Sequence, residues 1–408
     1  DRWRCSRMSD PIDRRHRRGL LALVASMTIA VILSACSGGN EETASTTAPL
    51  APSSTTTTTA PPAYDFGEVS ELMEAFVTQR GLSGAGLIVL ESDDGIVHEE
   101  YWGEFDSERT SLVASASKMV SAAVLLKLHD DGVLDIDAPV ADVVEWGAGN
   151  PDITPAQLLS NSSGLVGIFP NPVYLPYICQ YLPEGGLGDC GATIFTTTED
   201  DSDVILPDTE FRYGGAQWQV AGAIAEAASG RSWAELLDET YVEPCGLDPA
   251  SLGYSNYISV MGNGIDYPSE FSGDPSTLPI TSNPNVEAGA YATPGVFAEL
   301  VLMYLHGGEC GDGQRVLSKE SIDRVVADRV DEVYAGSAGP GRGYGMGWWV
   351  NRQDGSVYSA GAYGAVPTLK LDEGFGYYLV LEANDATWQA IAAPLDTAID
   401  AAMAAARD

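Results

Sequence analysis

The sequence predicts an α+β fold, an α/β sandwich in which helices flank one antiparallel sheet. Strand-like segments stand near the start and near the end of the folded part, whereas the middle is rich in helical patterns. Strands from both ends can bury a shared apolar face by pairing, so we expect one sheet built from both ends of the domain. The middle then forms an inserted, mostly helical lobe, and its junction with the sheet offers a cleft for a ligand.

A helix and a hairpin are the first predicted elements. Apolar residues between Phe66 and Arg80 recur at the spacing of one helical face, and Gly81 follows as a helix stop. The segments GAGLIVLES and GIVHEEYWG have the pattern of strands, and Asp93-Asp94-Gly95 between them is a hairpin signal.

Helices and then strands follow along the chain. Helical patterns cover Lys118 to Asp131, a segment near Pro155–Leu159 and the stretch GAQWQVAGAIAEAASG. Strand patterns return in GYGMGWWVNR, SVYSAGAYGAVPTLKLD and GFGYYLVLEAN, with turn residues between them. An alanine-rich helix from about Thr387 to Ala406 is the last predicted element.

Residues 1–36 have the pattern of an export signal, in which the basic stretch RRHRR precedes an apolar run. The run ends in LSAC, which resembles the lipobox of bacterial lipoproteins, where Cys36 would become the lipidated N-terminus. A retained membrane helix is the alternative. We expect a lipoprotein anchored to the outer face of the bacterial cytoplasmic membrane. The Thr/Pro/Ser-rich residues 37–63 would tether the folded domain, residues 64–408.

The net charge is strongly negative, −37 at pH 7. Such a surface repels nucleic acid and anionic lipid headgroups, so we expect neither as a partner. None of the acidic runs has the ligand spacing of a calcium loop, and no Cys/His pattern is typical of zinc. We therefore expect no metal and no other cofactor.

Four cysteines follow the export signal, at positions 179, 190, 245 and 310. An even number in an exported protein favours two disulfides over free thiols and leaves three pairings open. Proximity in the sequence favours Cys179 with Cys190 and Cys245 with Cys310.

The stretch LVASASKMVSAAVLLKLHDDG holds a serine and a lysine three residues apart, Ser115 and Lys118, at the start of a predicted helix. Side chains at this spacing lie one turn apart on the same helical face, so the amine points at the hydroxyl. A serine becomes a nucleophile when a base takes its proton, and a lysine serves when its pKa is lowered. The pair predicts acyl transfer, provided that further partners are found.

Histidine does not offer a better base. His98, His129 and His306 have contexts that are typical of surface or structural residues, and no serine lies in a GxSxG segment. A Ser-His-Asp triad is therefore disfavoured.

The segments around the Ser-Lys pair resemble, in order, those of the serine β-lactamase/penicillin-binding-protein superfamily. VASASKMVSAAVLLKLHDDGVLDIDAPV matches the SxxK helix, and ITPAQLLSNSSGL is similar to the LLxHTSGL segment, with Asn161 where histidine is common. LPDTEFRYGGAQWQVAGAIAEAASGRSW resembles the Tyr-x-Asn region, and YVEPCGLDPASLGY resembles the PLGM turn. The likeness is greatest to class C β-lactamases, family VIII esterases and D-alanyl-D-alanine peptidases, and it covers roughly residues 67–385.

The resemblance implies roles for individual residues. Ser115 would be the acylated nucleophile, Lys118 its proton partner, and Tyr213 the motif tyrosine that relays a proton to the leaving group. The backbone amides of Ser115 and Ala362 would form the oxyanion hole. The third motif, Lys-Thr-Gly or His-x-Gly in the family, falls on Ser359-Ala360-Gly361, where the glycine would let a substrate backbone approach.

Two departures from the family pattern bear on the substrate. Gly215 stands where an asparagine amide would bind a substrate acylamide, and Ser359 replaces a cation that would pair with a substrate carboxylate. Both changes weaken the binding of penicillins and D-Ala-D-Ala stems. We expect a monomeric esterase or amidase that acts on a small-molecule or peptidoglycan-derived acyl substrate. The alternatives are a β-lactamase, a D-alanyl-D-alanine carboxypeptidase, or an inactive module that binds cell-envelope glycopeptide.

Overall fold

The computed structural model describes residues 63–407, apart from residues 151, 169–173, 198–202, 257–266, 268–273, 312 and 331–337. The expected export signal, its Cys36 and the linker before Ala63 lie outside the described residues. Among the helices of the described part, none has the length and apolarity needed to cross a bilayer.

A seven-stranded antiparallel sheet lies at the centre of the domain, in the order β2-β1-β10-β9-β8-β7-β6, and a small second sheet has the order β3-β5-β4. In chain order the strands are β1 (Gly84–Glu91), β2 (Gly95–Gly103), β3 (Ser111–Leu112), β4 (Leu252–Tyr254), β5 (Ala290–Ala292), β6 (Arg342–Tyr344), β7 (Trp349–Asn351), β8 (Val357–Tyr358), β9 (Ala365–Lys370) and β10 (Phe375–Val380). The first strand pairs with the last, with Gly86 opposite Val380. The prediction of one sheet built from both ends is confirmed.

Helices cover both faces of this sheet. In chain order they are α1 (Gly67–Arg80), α2 (Ser117–Asp130), α3 (Pro155–Leu159), α4 (Leu187–Phe195), α5 (Ala216–Ser229), α6 (Trp233–Leu237), α7 (Glu243–Cys245), α8 (Pro294–Leu305), α9 (Lys319–Val326) and α10 (Asp385–Arg407). The helices predicted at the two ends, α1 and α10, pack together on one face, and α8 packs on the opposite face. Helices α3, α4 and α6 contact α5 in the inserted lobe.

Strand β1 shows how the two layers arise from the sequence. All eight of its residues are buried. Leu87 and Val89 face the cluster that contains α1 and α10, whereas Ile88 and Leu90 face the larger cluster that contains α2, α5 and α8. Successive side chains of a strand point to opposite faces, so a strand that is apolar throughout must be covered on both sides.

Helix α2 carries the Ser-Lys segment into the larger core. A short 3₁₀ turn, Ala114–Ala116, leads into the helix, so Ser115 precedes the α-helix rather than lying in its first turn. Most residues of α2 are buried. Because a helix buried on most of its surface cannot shift without opening the core, its first residues have a fixed position.

Two disulfides lie in the helical lobe. The first joins Cys179 to Cys190, with Cα atoms 5.6 Å apart, and links the 3₁₀ segment Leu175–Tyr181 to α4. The second joins Cys245 at the end of α7 to Cys310, with Cα atoms 5.3 Å apart. These are the two pairings that proximity in the sequence favours.

Candidate active site

A cavity of about 850 Å³ lies over Ser115 at the junction of the sheet and the helical lobe. Most of the side chains that line it are aromatic or small, and a few are charged. The lining residues are Ser115, Ile168, Glu210, Phe211, Tyr213, Ala338, Arg342, Trp349, Tyr358, Ala360, Ala362, Asp385, Trp388 and Gln389. The cleft expected from the topology is present, and the serine singled out by the sequence opens into it.

The turn that carries Ser115 is held in an unusual backbone conformation. Ala114 has a φ of 46°, in the left-handed region that residues with a side chain rarely adopt. The N–H of Val113 donates to the carbonyl of Ala290, which ties the start of the turn to β5. Such backbone strain clusters at functional sites, and here it presents the side chain of Ser115 to the cavity.

Lys118 is the immediate partner of the serine. Its Nζ lies 3.1 Å from Ser115 Oγ, and its side chain is 1% exposed. Nζ also donates to a carboxylate oxygen of Glu287 at 3.0 Å and to the backbone carbonyl of the same residue at 3.3 Å. The amine is thus enclosed between one hydroxyl and one acidic residue.

The pKa of Lys118 is raised above its ordinary value. Desolvation is the largest single influence and lowers the pKa, but the carboxylate of Glu287 and the phenol of Tyr213 together outweigh it. The raised pKa favours the ammonium form, which donates a hydrogen bond to Ser115 Oγ. A lysine that acts as the base needs a lowered pKa, whereas the carboxylate of Glu287 and the phenol of Tyr213 shift the pKa of Lys118 in the opposite direction.

Tyr213 completes the group of three. Its ring centroid lies 4.7 Å from Lys118 Nζ, and the ring packs against Trp349 at 5.2 Å. Its backbone carbonyl accepts from the N–H of Ile168, and a Cβ on Gly214 would lie 2.7 Å from that same nitrogen. The close backbone contact explains why glycine follows the tyrosine. The structure brings the hydroxyl, the amine and the phenol ring to one wall of the cavity.

The two amides expected to form an oxyanion hole lie at the cavity. Ser115 and Ala362 both line it, and neither N–H donates a hydrogen bond within the described part of the chain. Ala362 lies in a tight turn between β8 and β9, closed by the N–H of Gly364 on the carbonyl of Gly361 at 2.9 Å. Two free donors beside the nucleophile are what a developing oxyanion needs.

Comparison with known proteins decides the family. A model of the Beta-lactamase family matches residues 69–403.

The chain belongs to the Beta-lactamase family.

Relatives agree with this membership. Penicillin-binding protein 4 of Amycolatopsis lactamdurans is 26% identical over 310 residues, which are 70% of this chain and 77% of that protein. The solved structure of EstCE1, a hydrolase with promiscuous acyltransferase activity, has a TM-score of 0.65 at 17% identity and covers 83% of this chain and 99% of its own. Simvastatin synthase LovD of Aspergillus terreus has a TM-score of 0.61 at 18% identity, with 81% and 97% covered. At such identities the two structures show likeness of fold, and family membership makes the chain a serine hydrolase homologue.

The family resemblance assigned three further residues to substrate binding, namely Gly215, Ser359 and Gly361. In the structure each of them packs closely against other parts of the protein. Ser359 is 2% exposed, and its hydroxyl donates to the carbonyl of Gly347 at 2.8 Å. A Cβ on Gly361 would lie 2.0 Å from the carbonyl oxygen of Val113. Glycine is needed there because the turn packs on the backbone just ahead of Ser115.

Gly215 also faces protein rather than substrate. A Cβ at this position would lie 1.9 Å from a carboxylate oxygen of Glu287. The space that the family's asparagine side chain would need is occupied by the acidic residue that pairs with Lys118.

Sequence reasoning missed several residues at the cavity or beside it. Glu287 and Arg342 lie in none of the matched motifs, and no local signal marks either of them. Arg342 is an exposed cation on β6 at the cavity wall, so a cation is present there although Ser359 replaces the one of the family motif. Trp349 and Trp388 lie within segments that were predicted as strand and helix, without a role at the site.

The histidines take no part in this cavity. His129 Nδ1 lies 3.2 Å from the carbonyl of Leu134, and His306 Nε2 lies 3.0 Å from that of Ser92. His98 is half-buried beside Glu100. Among the described residues, no group of three or more His, Cys, Asp or Glu is arranged to hold a metal ion.

Proposed function

We propose that the protein is an exported, membrane-tethered serine hydrolase that forms an acyl-enzyme at Ser115, with esters or amides of apolar acyl groups as substrates. The observation that carries this proposal is the contact of 3.1 Å between Ser115 Oγ and Lys118 Nζ at the floor of the cavity. A serine hydroxyl with a buried amine beside it and two free amides nearby has the parts that acyl transfer needs.

In the proposed reaction, Lys118 first gives up its ammonium proton. Its neutral amine then takes the proton of Ser115 Oγ as that oxygen attacks the substrate carbonyl. The carbonyl oxygen becomes an oxyanion between the amides of Ser115 and Ala362. As the tetrahedral species collapses, the leaving oxygen or nitrogen takes a proton from the phenol of Tyr213, which recovers one from Lys118. Water then attacks the acyl-enzyme by the same route and restores the hydroxyl of Ser115.

The cavity walls favour a neutral, bulky acyl group. Phe211, Trp349, Tyr358 and Trp388 provide aromatic surface, and 850 Å³ is ample for a drug-sized group. Two carboxylates, Glu210 and Asp385, stand on the same walls and repel anionic substrates.

A second candidate is supported by Arg342. Its guanidinium is exposed at the cavity wall and matches the geometry of a carboxylate, which penicillins and D-Ala-D-Ala stems both carry. The similarity to a protein named penicillin-binding protein 4 supports the same candidate. Under this reading the protein is a β-lactamase or a D-alanyl-D-alanine carboxypeptidase.

A fluorophosphonate probe tests the nucleophile. The full chain is expected to be labelled, and Ser115→Ala is expected to lose both labelling and turnover. Labelling that persists in Ser115→Ala contradicts the assignment, and a fully unlabelled wild type favours the inactive glycopeptide-binding module.

A substrate panel separates the two candidates. p-Nitrophenyl esters of increasing acyl length are expected to be hydrolysed faster than nitrocefin or a D-Ala-D-Ala peptide. Faster turnover of nitrocefin or the peptide, with a rise in KM in Arg342→Gln, would instead identify the second candidate.

The proposed membrane tether is tested by Cys36→Ala. If Cys36 carries the lipid anchor, this substitution is expected to release the protein from the membrane fraction.

A further inference from the structure

Glu287 occupies the place of a side chain that this protein lacks. The helix α5 begins directly after Gly215, and a Cβ there would meet a carboxylate oxygen of Glu287 at 1.9 Å. A residue larger than glycine at 215 and the present position of Glu287 are therefore mutually exclusive. The carboxylate enters the site because the second motif ends in glycine.

The carboxylate forms a buried ion pair with Lys118 and does not line the cavity. Its Oε2 lies 3.0 Å from Nζ, and the side chains of Glu287 and Lys118 are 8% and 1% exposed. The other titratable groups near the pair are phenols, those of Tyr213, Tyr181 and Tyr344. Among the described residues, no second cation faces this carboxylate.

In the free protein the attraction of Glu287 and Tyr213 outweighs the desolvation of the ammonium and raises the pKa of Lys118. Desolvation nevertheless penalises both charges of such a buried pair. When a substrate fills the cavity and excludes water, the penalty on the ammonium grows. Transfer of one proton over 3.0 Å then turns an ammonium and a carboxylate into an amine and a carboxylic acid.

We propose that Glu287 is the residue that takes the surplus proton of Lys118 and so creates the neutral amine that activates Ser115. The inference rests on the proposed acyl-enzyme function. The ammonium proton moves to Glu287, the Ser115 proton moves to the amine as the oxygen–carbon bond forms, and the leaving group departs with a proton delivered through Tyr213. Glu287 then returns its proton to Lys118, so the pair ends as it began.

Gln180 provides a partner for the protonated acid. Its side-chain oxygen is buried and accepts no hydrogen bond from a described group. That oxygen and the Oε1 atom of Glu287 lie within 2.6 Å of the same point, the site of a Cβ at Gly215. A carboxylate has nothing to donate to this acceptor, whereas a carboxylic acid has one O–H. A protonated Glu287 whose O–H reaches this acceptor would satisfy it.

The test is the pH profile of Glu287→Gln, which keeps the shape and a hydrogen-bond acceptor but cannot take a proton. At pH 7 we expect kcat for an ester to fall by about 10²-fold, the usual contribution of a base, with little change in KM because Glu287 lies outside the cavity wall. Activity should recover at alkaline pH, where the unpaired amine loses its proton to water. The wild type should show no such rise.

Glu226→Gln is the matched control. Glu226 is also a partly buried glutamate, and it accepts from the backbone N–H of Trp233 at 2.8 Å, away from the cavity. Its substitution is expected to leave the pH profile unchanged. If Glu287→Gln is as active as wild type at pH 7, or loses activity equally at all pH values, the proposal is overturned.

A measurement without turnover completes the test. Nζ resonances of ¹⁵N-lysine-labelled protein, assigned with Lys118→Arg, report the protonation of Lys118 directly. Glu287→Gln is expected to lower the pKa of Lys118. An unchanged pKa contradicts the proposed proton transfer between Lys118 and Glu287, even if turnover is lost. If the wild type is not labelled at Ser115, the proposed function is contradicted, and the inference about Glu287 is contradicted together with it.

Discussion

Lys118 and Lys370 are both nearly buried, yet they stand in regions with different tasks. Lys118 is 1% exposed and Lys370 is 7% exposed. The pKa of each is raised: desolvation is the largest influence and lowers it, and neighbouring acidic groups outweigh that influence. Lys370 pairs with Asp396 and Asp400, which are 33% and 42% exposed, whereas Lys118 has one carboxylate that is itself buried.

The surroundings of the two amines explain the difference. Lys370 ties the end of β9 to α10, and its Nζ lies 5.6 Å from the ring centroid of Phe375. Lys118 instead adjoins a hydroxyl that opens into a cavity. Burial and a raised pKa are thus shared by a structural lysine and a catalytic candidate. A nucleophile within reach and a partner that can take the proton distinguish the second.

The largest effect is expected from Lys118→Met. We expect kcat/KM for an ester to fall by about 10³-fold or more, because serine and lysine act as a unit. Steady-state kinetics with Lys127→Met as control check this, since Lys127 lies on the same helix and pairs with Asp131. If Lys118→Met retains a tenth of the wild-type activity, the catalytic role that separates Lys118 from Lys370 is contradicted.

A smaller effect is expected from Gly361→Ala. The added Cβ would lie 2.0 Å from the carbonyl of Val113, so the turn must move and carry the Ala362 amide away from Ser115. Loss of one oxyanion donor lowers kcat by about 10²-fold.

Gly295→Ala is the control for this change, since a Cβ there meets nothing within 4 Å. It is expected to leave kcat unchanged. Equal kinetics for both variants would show that the turn tolerates the shift and that Ala362 does not serve the oxyanion.

Lys370→Met is expected to leave kcat unchanged and to lower the free energy of unfolding by about 1.5–3 kcal/mol, the range for hydrogen bonds to charged groups. Denaturant unfolding at neutral pH measures this change. Loss of activity in a folded variant would contradict the structural role given to Lys370.

The difference in free energy of unfolding between wild type and Lys370→Met should depend on pH, which provides a further test. The folded-state pKa of Lys370 lies above its ordinary value of 10.5, so its contribution is fully present below that pH. The contribution is lost as the pH rises through the folded-state pKa. The gap between wild type and Lys370→Met should therefore stay constant from pH 7 to 10 and narrow above 10.5.

The elements of the fold were predictable because their signals are local. The apolar run of β1, the hairpin turn after it and the strand GFGYYLVLEAN each carry their own pattern, and the structure confirms one sheet that joins them. The start of α2 was less predictable, because the 3₁₀ turn at Ala114–Ala116 depends on a left-handed φ that no alanine signals.

The residues of the candidate site also differ in how far the sequence could predict them. Ser115 and Lys118 are three residues apart, and Tyr213 was found through the resemblance of its whole segment. Glu287 is 169 residues from Lys118, and a lone glutamate in a loop carries no mark. Gly215 suggested a missing contact to substrate, whereas the structure shows that the space is filled by protein.

The sequence by itself determined the layered fold, the family resemblance and the Ser-Lys pair, because periodicity and short spacing act within a few residues. The tertiary structure alone decided the direction in which the pKa of Lys118 is shifted. That property depends on which charge lies within 3.0 Å of a desolvated amine, and such distances are set by packing between distant segments.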